Sequence, residues 1–231
     1  CIFTSSRADY YLLSKLALKL ESYKNIKVHI LISGTHLLKK YGNLYREIKK
    51  NHKNTSECKI FSKDKKKNDL IKIISKTINI VGIKLKIIKP DIFVVLGDRF
   101  EAFAATISAN SLKIPIAHIS GGEITEGAID DTFRHAITKL SNLHFVGHKK
   151  YKKRIIQLGE NSENIFVVGG TGSEDIKKIK FLNKKFLENE LNFKFKEKNL
   201  IVTIHPETIN ISNNKKIINS LFPVLSKMKN T

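Results

Sequence analysis

The sequence predicts an α/β fold built on a doubly wound parallel sheet. Three observations predict it. Short apolar runs alternate along the chain with segments whose apolar residues recur at helical spacing. The run Asp91–Leu96 reads Ile-Phe-Val-Val-Leu after its first residue, with no internal polar residue, as expected of a strand covered by helices on both faces. Polar clusters rich in glycine and acids follow these runs, where an open parallel sheet places its ligand-binding loops.

Cys1–Thr4 reads as the tail of a first strand, and Tyr10–Ser22 carries Leu12, Leu13, Leu16, Ala17 and Leu20 at helical spacing. Lys27–Ser33 is a second strand ending at Gly34, and Leu37–Lys50 is a helix. Asn51–Asp69 is polar and Lys-rich, a mobile surface stretch around a short strand near Ile60. A long apolar-periodic helix runs over Leu70–Ile88 and is stopped by Pro90. After the strand Asp91–Leu96 come a helix over Phe100–Leu112, a strand Ile114–Ile119, a helix Asp131–Leu140 and a strand Leu143–Val146. Lys149–Leu158 is a helix and Ile165–Val168 a strand ending in Gly169-Gly170. Short helices follow near Glu174–Lys180 and Lys184–Glu190, then a new strand Asn199–Ile204 and a helix Lys215–Lys229.

The 231 residues suffice for one large or two small domains. A first domain is expected over residues 1–170; residues 171–231 would hold a hinge and the start of a second domain. The 41% hydrophobic content supports a packed core. No apolar run approaches the roughly 20 residues that span a bilayer, and the start carries no signal-peptide pattern, so no membrane partner is expected. The chain opens on Cys1 in mid-strand and stops in or just after a helix, so a fragment is expected, lacking a few residues in front and a larger piece behind. Cys1 and Cys58, the two cysteines, make neither a zinc site nor a disulfide framework and fit a reducing cytoplasm.

The formal charge of +21 raises nucleic acid as a partner. Only 5 of the 42 basic residues are Arg, and the 37 Lys are spread over all but one of the predicted helices, without aromatic interleaving of the kind that stacks bases. A Lys-biased composition on solvated faces accounts for that pattern, so no specific nucleic-acid partner is expected. The surface could still attract an anionic substrate.

Five clusters follow predicted strands: Ser5-Ser6-Arg7-Ala8-Asp9, Gly97-Asp98-Arg99-Phe100-Glu101, the loop from Ser120 that holds Glu123, Glu126, Asp130 and Asp131, Gly169-Gly170-Thr171-Gly172-Ser173, and His205-Pro206-Glu207. One rim of the sheet would gather them. Asp98 reads either as an N-cap for the following helix or as a carboxylate tuned by Arg99 and a neighbouring acid. Glu123 lies beside two glycines with no helix to cap; it is either a solvated loop acid or an acid–base group. Of Asp130 and Asp131, one caps the next helix and the other is free to face a cleft, with Arg134 one turn on and able to pair with either. Arg7 sits where helix N-termini bind phosphate, or else forms a surface salt bridge with Asp9. Gly169–Ser173 lacks the Gly-Lys-Ser/Thr ending of a P-loop, so its glycines allow a ligand's close approach or a tight turn. His205 could donate to a phosphate, although a lone His is more often structural. The histidines at 118, 135, 144 and 148 show no metal-ligand spacing, so no metal is expected, and no G-x-S-x-G nucleophile occurs.

Taken in order, the segments TSSRADY (4–10), LGDRFE (96–101), HISGGEITEGAIDDTFRHAITKLSNLHFV (118–146), VVGGTGSEDI (167–176) and TIHPET (203–208) resemble the UDP-N-acetylglucosamine 2-epimerase family, and more closely its hydrolysing branch, which starts sialic-acid-type sugar synthesis. The resemblance spans essentially the whole chain. It implies a GT-B-like fold of two Rossmann-like domains with the nucleotide sugar between them. It implies acid–base chemistry with no cofactor, neither metal nor nicotinamide: the C2 proton leaves as the C1–O bond to UDP breaks, giving a 2-acetamidoglucal. Water then adds at C1 and a proton returns to the other face of C2, yielding N-acetylmannosamine and UDP. By motif position it assigns Asp98, Glu123 and Asp131 to the acid–base set and Arg7 and His205 to the diphosphate side, with Gly169 and Thr171 binding UDP. It also suggests a homo-oligomer. The non-hydrolysing branch has a Glu pair where Asp130-Asp131 stand here, and its Gly-Gly-Glu loop differs, which favours the hydrolysing reading.

The alternatives are the same chemistry on a UDP-2,4-diacetamido-trideoxy sugar of the legionaminic acid route, a non-hydrolysing UDP-N-acetylglucosamine 2-epimerase, and a GT-B glycosyltransferase. Against the transferase stand three acids and no acceptor-site signature. One extra acetamido group needs only local pocket changes, so motifs alone do not separate the two sugars.

Overall fold

The computed structural model describes residues 1–62, 69–172, 179–206 and 211–231. The described residues form two compact units, Cys1–Ile124 with Asp130–Gly172, and Thr125–Ile129 with Ser173–Thr231. The first holds β1 (Ile2–Thr4), α1 (Arg7–Glu21), β2 (Ile30–Ile32), α2 (Leu44–Asn51), β3 (Thr55–Glu57), α3 (Leu70–Ile88), β4 (Phe93–Leu96), α4 (Phe100–Ser111), β5 (Ile116–Ile119), α5 (Asp130–Leu140), β6 (Leu143–Val146), α6 (Lys149–Gln157) and β7 (Ile165–Val167).

The strands make one 7-stranded sheet in the order β3-β2-β1-β4-β5-β6-β7, parallel throughout. The expected doubly wound α/β sheet is therefore the one observed. The order reverses between β1 and β4, and this switch point opens a crevice at the carboxyl edge of the sheet.

Strand side chains alternate between two apolar layers, as a period of two requires. Phe3, Leu31, Phe93 and Val95 enter one layer with Val81, Leu85, Ala102, Ala105 and Ala109. Ile2, Ile30 and Ile32 enter the other with Tyr10, Leu13, Ala17 and Ile48. Covering both faces explains why the strands read as unbroken apolar runs. Helix α3 buries Ile73, Thr77, Val81 and Leu85, one residue per turn. It lies against the alanine-rich face of α4, where Ser108 Oγ donates to the Ile78 carbonyl at 2.8 Å. Full burial of Val81 and Leu85 contributes about 1.5–3 kcal/mol each. The C-cap Lys89 adopts φ +49° and donates to Leu85 O, after which Pro90 ends the helix as expected.

Several elements differ from expectation. Helix α1 starts at Arg7 rather than Tyr10, because Asp9 at its third position accepts the Ser6 N–H at 2.8 Å and closes the first turn. The helix expected over Leu37–Lys50 is two 3₁₀ turns, Gly34–Leu37 and Lys39–Tyr41, followed by α2; Gly42 at φ +89° breaks the path between them. The strand expected near Ile60 lies at Thr55–Glu57, where β2 offers a ladder.

The second unit holds helices α7 (Lys184–Glu190) and α8 (Ile211–Ser226). The strand expected at Asn199–Ile204 does not form: these residues make no ladder among the described residues, and Ile201 is 99% exposed. A strand without a neighbour leaves its N–H and C=O groups to water. Most of the helix expected near Glu174–Lys180, part of the Lys-rich stretch after Phe61, and Ser173 and Glu207 lie outside the described residues.

Candidate active site

The carboxyl edge around the switch point collects the loops after β1, β4 and β5 and the first turn of α5. Gly97 ends β4 at φ +78°, a conformation open to glycine, and turns the chain so that Asp98 leaves the strand line. Arg134 Nη2 donates to Asp98 Oδ2. Its Nη1 lies 3.8 Å from Asp131 Oδ1. One guanidinium, 6% exposed, thus bridges two acids that the sequence singles out. The capping reading of Asp98 fails, since Arg99 occupies the N-cap position of α4 and Asp98 pairs with Arg134 instead.

Burial raises the Asp98 pKa from its ordinary value. Arg134 opposes that shift and the nearby Asp130 adds to it. Arg99 does not pair with Asp98. It turns to the buried Glu101 in a two-pronged ion pair, with contacts of 2.8 and 3.1 Å. Burial pushes the Glu101 pKa up against that pairing. Asp130 and Asp131 both fall inside the first turn of α5, where the helix dipole favours negative charge.

Glu123 sits at the end of a tightly folded segment after β5. Ser120 takes φ +64° and Gly122 φ +73°. A Cβ on Gly122 would stand 2.7 Å from the Tyr151 carbonyl, so the position admits only glycine. Arg154 Nη1 donates to the Gly122 carbonyl. Glu123 itself is half-buried and makes no hydrogen bond or ion pair among the described residues. It is fixed by its backbone while its carboxylate is uncommitted. Glu126 belongs to the second unit.

On the β1 side, the salt bridge with Asp9, the alternative reading of Arg7, does not form. Asp9 is buried and accepts from Ser5 N and Ser6 N at 2.8 Å, and from the hydroxyls of Thr4, Ser5 and Ser6 at 3.0–3.1 Å. That carboxylate folds the turn and leaves Arg7 to reach outward, where its Nη2 lies 3.4 Å from Tyr41 O. His36 Nε2 lies 2.8 Å from Thr4 Oγ1; the Thr4 proton goes to Asp9, so Nε2 is the donor. Burial lowers the His36 pKa to about 4, opposed by Asp9 and assisted by Arg99. Gly34, at φ +56°, lets this segment approach: a Cβ there would stand 2.3 Å from Ser5 O.

Gly169 and Thr171 follow β7 on an exposed turn, with Gly169 at φ +85° and Gly172 at φ +94°. His205 is exposed and belongs to the second unit. Within the first unit, the structure brings Asp98 and Asp131 together through Arg134. It sets Glu123 on the adjacent strand end and Arg7 across the switch point. Sequence reasoning missed Asp9 as the organiser of the first turn, His36 beneath it, and the buried His118 on β5. Among the described residues no group of three or more His, Cys, Asp or Glu could hold a metal ion, and no helix is long and apolar enough to cross a membrane.

Comparison with known proteins bears on this arrangement. A family model described as UDP-N-acetylglucosamine 2-epimerase matches residues 18–231. The chain is 39% identical over 230 residues to the GDP/UDP-N,N'-diacetylbacillosamine 2-epimerase (hydrolyzing) of Campylobacter jejuni, covering 100% of this chain and 60% of the relative. It is 34% identical over 206 residues to the UDP-N,N'-diacetylbacillosamine 2-epimerase (hydrolyzing) of Legionella pneumophila, covering 88% of this chain and 54% of the relative. The chain therefore spans between half and two thirds of the length of these relatives. Among solved structures, the Methanocaldococcus jannaschii UDP-GlcNAc 2-epimerase in complex with UDP-GlcNAc and UDP aligns with a TM-score of 0.79 at 22% identity, covering 97% of this chain and 62% of that one. That likeness gives the fold, and the fold is the GT-B-like one expected from the sequence.

Proposed function

The chain belongs to the UDP-N-acetylglucosamine 2-epimerase family, and we propose that the protein carries out hydrolysing 2-epimerisation of a UDP-activated 2-acetamido sugar. The observation that carries the reading is the Asp98–Arg134–Asp131 bridge at the switch point, with the uncommitted Glu123 on the neighbouring strand end. Asp98, Glu123 and Asp131 are the acid–base set. Arg7, Gly169, Thr171 and His205 take the UDP side.

The chemistry asks for such a set. A C2 proton is weakly acidic, so departure of UDP from C1 runs with or ahead of its removal. One carboxylate takes that proton, leaving a 2-acetamidoglucal. Water adds to C1 and a second acid returns a proton to the opposite face of C2. A base and an acid on two sides of one ring need different protonation states. Burial and Asp130 raise the Asp98 pKa. Charge developing on the departing diphosphate is met by Arg7 at the start of α1.

The preferred substrate is UDP-N,N'-diacetylbacillosamine, the 2,4-diacetamido sugar. Two relatives at 39% and 34% identity carry that name. UDP-N-acetylglucosamine, giving N-acetylmannosamine, is the second reading, favoured by the family's description. Incubating the intact protein with each nucleotide sugar, and following free UDP and the epimeric sugar, tests both. Release of UDP from the diacetamido sugar at a higher kcat/KM is expected. Preference for UDP-N-acetylglucosamine reverses the substrate assignment, and release from neither defeats the hydrolase reading.

A further inference from the structure

Residue His118 lies on β5 with its side chain fully buried. Its ring meets three of the segments that present acids. Nε2 lies 2.8 Å from the carbonyl of Gly97, the residue before Asp98. A carbonyl only accepts, so Nε2 carries the proton. Nδ1 is then the acceptor side and lies 3.2 Å from Thr138 Oγ1. Thr138 is on α5, and its single hydroxyl proton is shared between Nδ1 and the Arg134 carbonyl 3.0 Å away, one turn back. Gly121, two residues before Glu123, passes over the same ring: a Cβ there would stand 2.9 Å from His118 Nδ1 and 3.0 Å from Thr138 Oγ1.

Accepting the acid–base assignment above, we propose that His118 is the positioning residue that sets the three acids in register. Through Gly97 it fixes the turn bearing Asp98; through Thr138 it fixes the helix bearing Asp131 and Arg134. By excluding a side chain at Gly121 it seats the loop bearing Glu123. It acts through these groups and touches no substrate. The ring is suited to this because it stays neutral. Burial lowers its pKa to about 3, and the surrounding Arg134, His135 and His144 each oppose a charge on it. A neutral imidazole holds one donor and one acceptor in a fixed plane, which is what the Gly97 carbonyl and the Thr138 hydroxyl require.

The test compares His118→Gln, His118→Phe and Thr138→Val in the intact protein. His118→Phe keeps a planar ring and loses both bonds. It is expected to lower kcat by roughly 100-fold, the scale of a 1 Å misplacement, with KM and UDP affinity little changed. His118→Gln retains an N–H for Gly97 and is expected to recover at least tenfold of that loss. Unchanged kcat in a folded His118→Phe protein, or a rise in KM alone, overturns the proposal, as does a glutamine variant no better than phenylalanine. Should the phenylalanine variant not fold, Thr138→Val decides: lower kcat at constant KM supports the role, and unchanged kcat overturns it. If the unmodified protein releases UDP from no sugar, the assigned reaction fails rather than the geometry. The geometry is then read from imidazole ¹⁵N shifts. A neutral Nε2–H tautomer throughout pH 5–8 supports the register; an Nδ1–H tautomer or protonation near pH 6.5 overturns it.

Discussion

Arg134 donates to the carboxylate of Asp98 across 36 residues of sequence while lying 3.8 Å from Asp131 on its own helix. A single buried cation is thus shared by two acids with different surroundings. Asp98 is lifted by burial, and Asp131 sits in the first turn of a helix. Under the proposed function, the two carboxylates belong to the acid–base set that works on one sugar ring.

The pH dependence follows from who shifts Asp98. Arg134 holds its pKa down and Asp130 pushes it up. If Asp98 works as the base, Asp130→Asn moves the acid limb of the kcat/KM profile to lower pH, and Arg134→Gln moves it to higher pH. A pH–rate series on both variants checks the opposite signs.

Removal of an acid and removal of a phosphate contact separate cleanly. Asp98→Asn and Glu123→Gln lower turnover by roughly 10²–10⁴-fold, the range for a lost general acid or base, with UDP affinity almost unchanged. Arg7→Ala weakens UDP binding instead. Calorimetric UDP titration beside steady-state kinetics distinguishes the two classes. Full turnover in Glu123→Gln places the chemistry elsewhere.

Two glycines carry the loops. A Cβ on Gly34 would stand 2.3 Å from Ser5 O, and one on Gly122 would stand 2.7 Å from Tyr151 O; both residues have positive φ. Gly34→Ala and Gly122→Ala each destabilise the fold by about 2 kcal/mol or more, read as a shift in denaturant midpoint. Gly97→Ala meets nothing within 4 Å of its Cβ, so it bears the cost of its φ of +78° alone and loses less.

Acid weakens the fold through histidines kept neutral. The pKa values of His36 and His118 are lowered to about 4 and about 3. Below pH 6.5 the unfolded chain binds protons that the folded one refuses, so stability falls as pH drops and is fully present only above the unfolded value. Each histidine costs about 2 kcal/mol by pH 5. His118→Gln should flatten its share of that slope in chemical denaturation at pH 5–7.

Much of this was legible in the sequence because it is local. Apolar runs marked β4, β5 and β6, and helical spacing together with Pro90 marked α3. The clusters after β1, β4 and β5 were legible for the same reason. What stayed hidden depends on distant pairing. Nothing near Asp98 announces Arg134, and Arg99 beside it looked like the partner yet turns to Glu101. Asp9 looked like a surface acid beside Arg7, but five hydrogen bonds draw it inward. The apolar run Asn199–Ile204 has the composition of a strand, and no local signal tells whether a neighbouring strand is at hand.

The most direct test of the central claim is mass spectrometry of the products formed by the intact protein from its nucleotide sugar in D₂O and in H₂¹⁸O. Loss and return of a proton at C2, with C1–O cleavage, predicts deuterium at C2 of the released sugar and UDP free of ¹⁸O. A sugar unlabelled at C2 would show hydrolysis without epimerising proton transfer, ¹⁸O in the diphosphate would show P–O rather than C1–O cleavage, and either would contradict it.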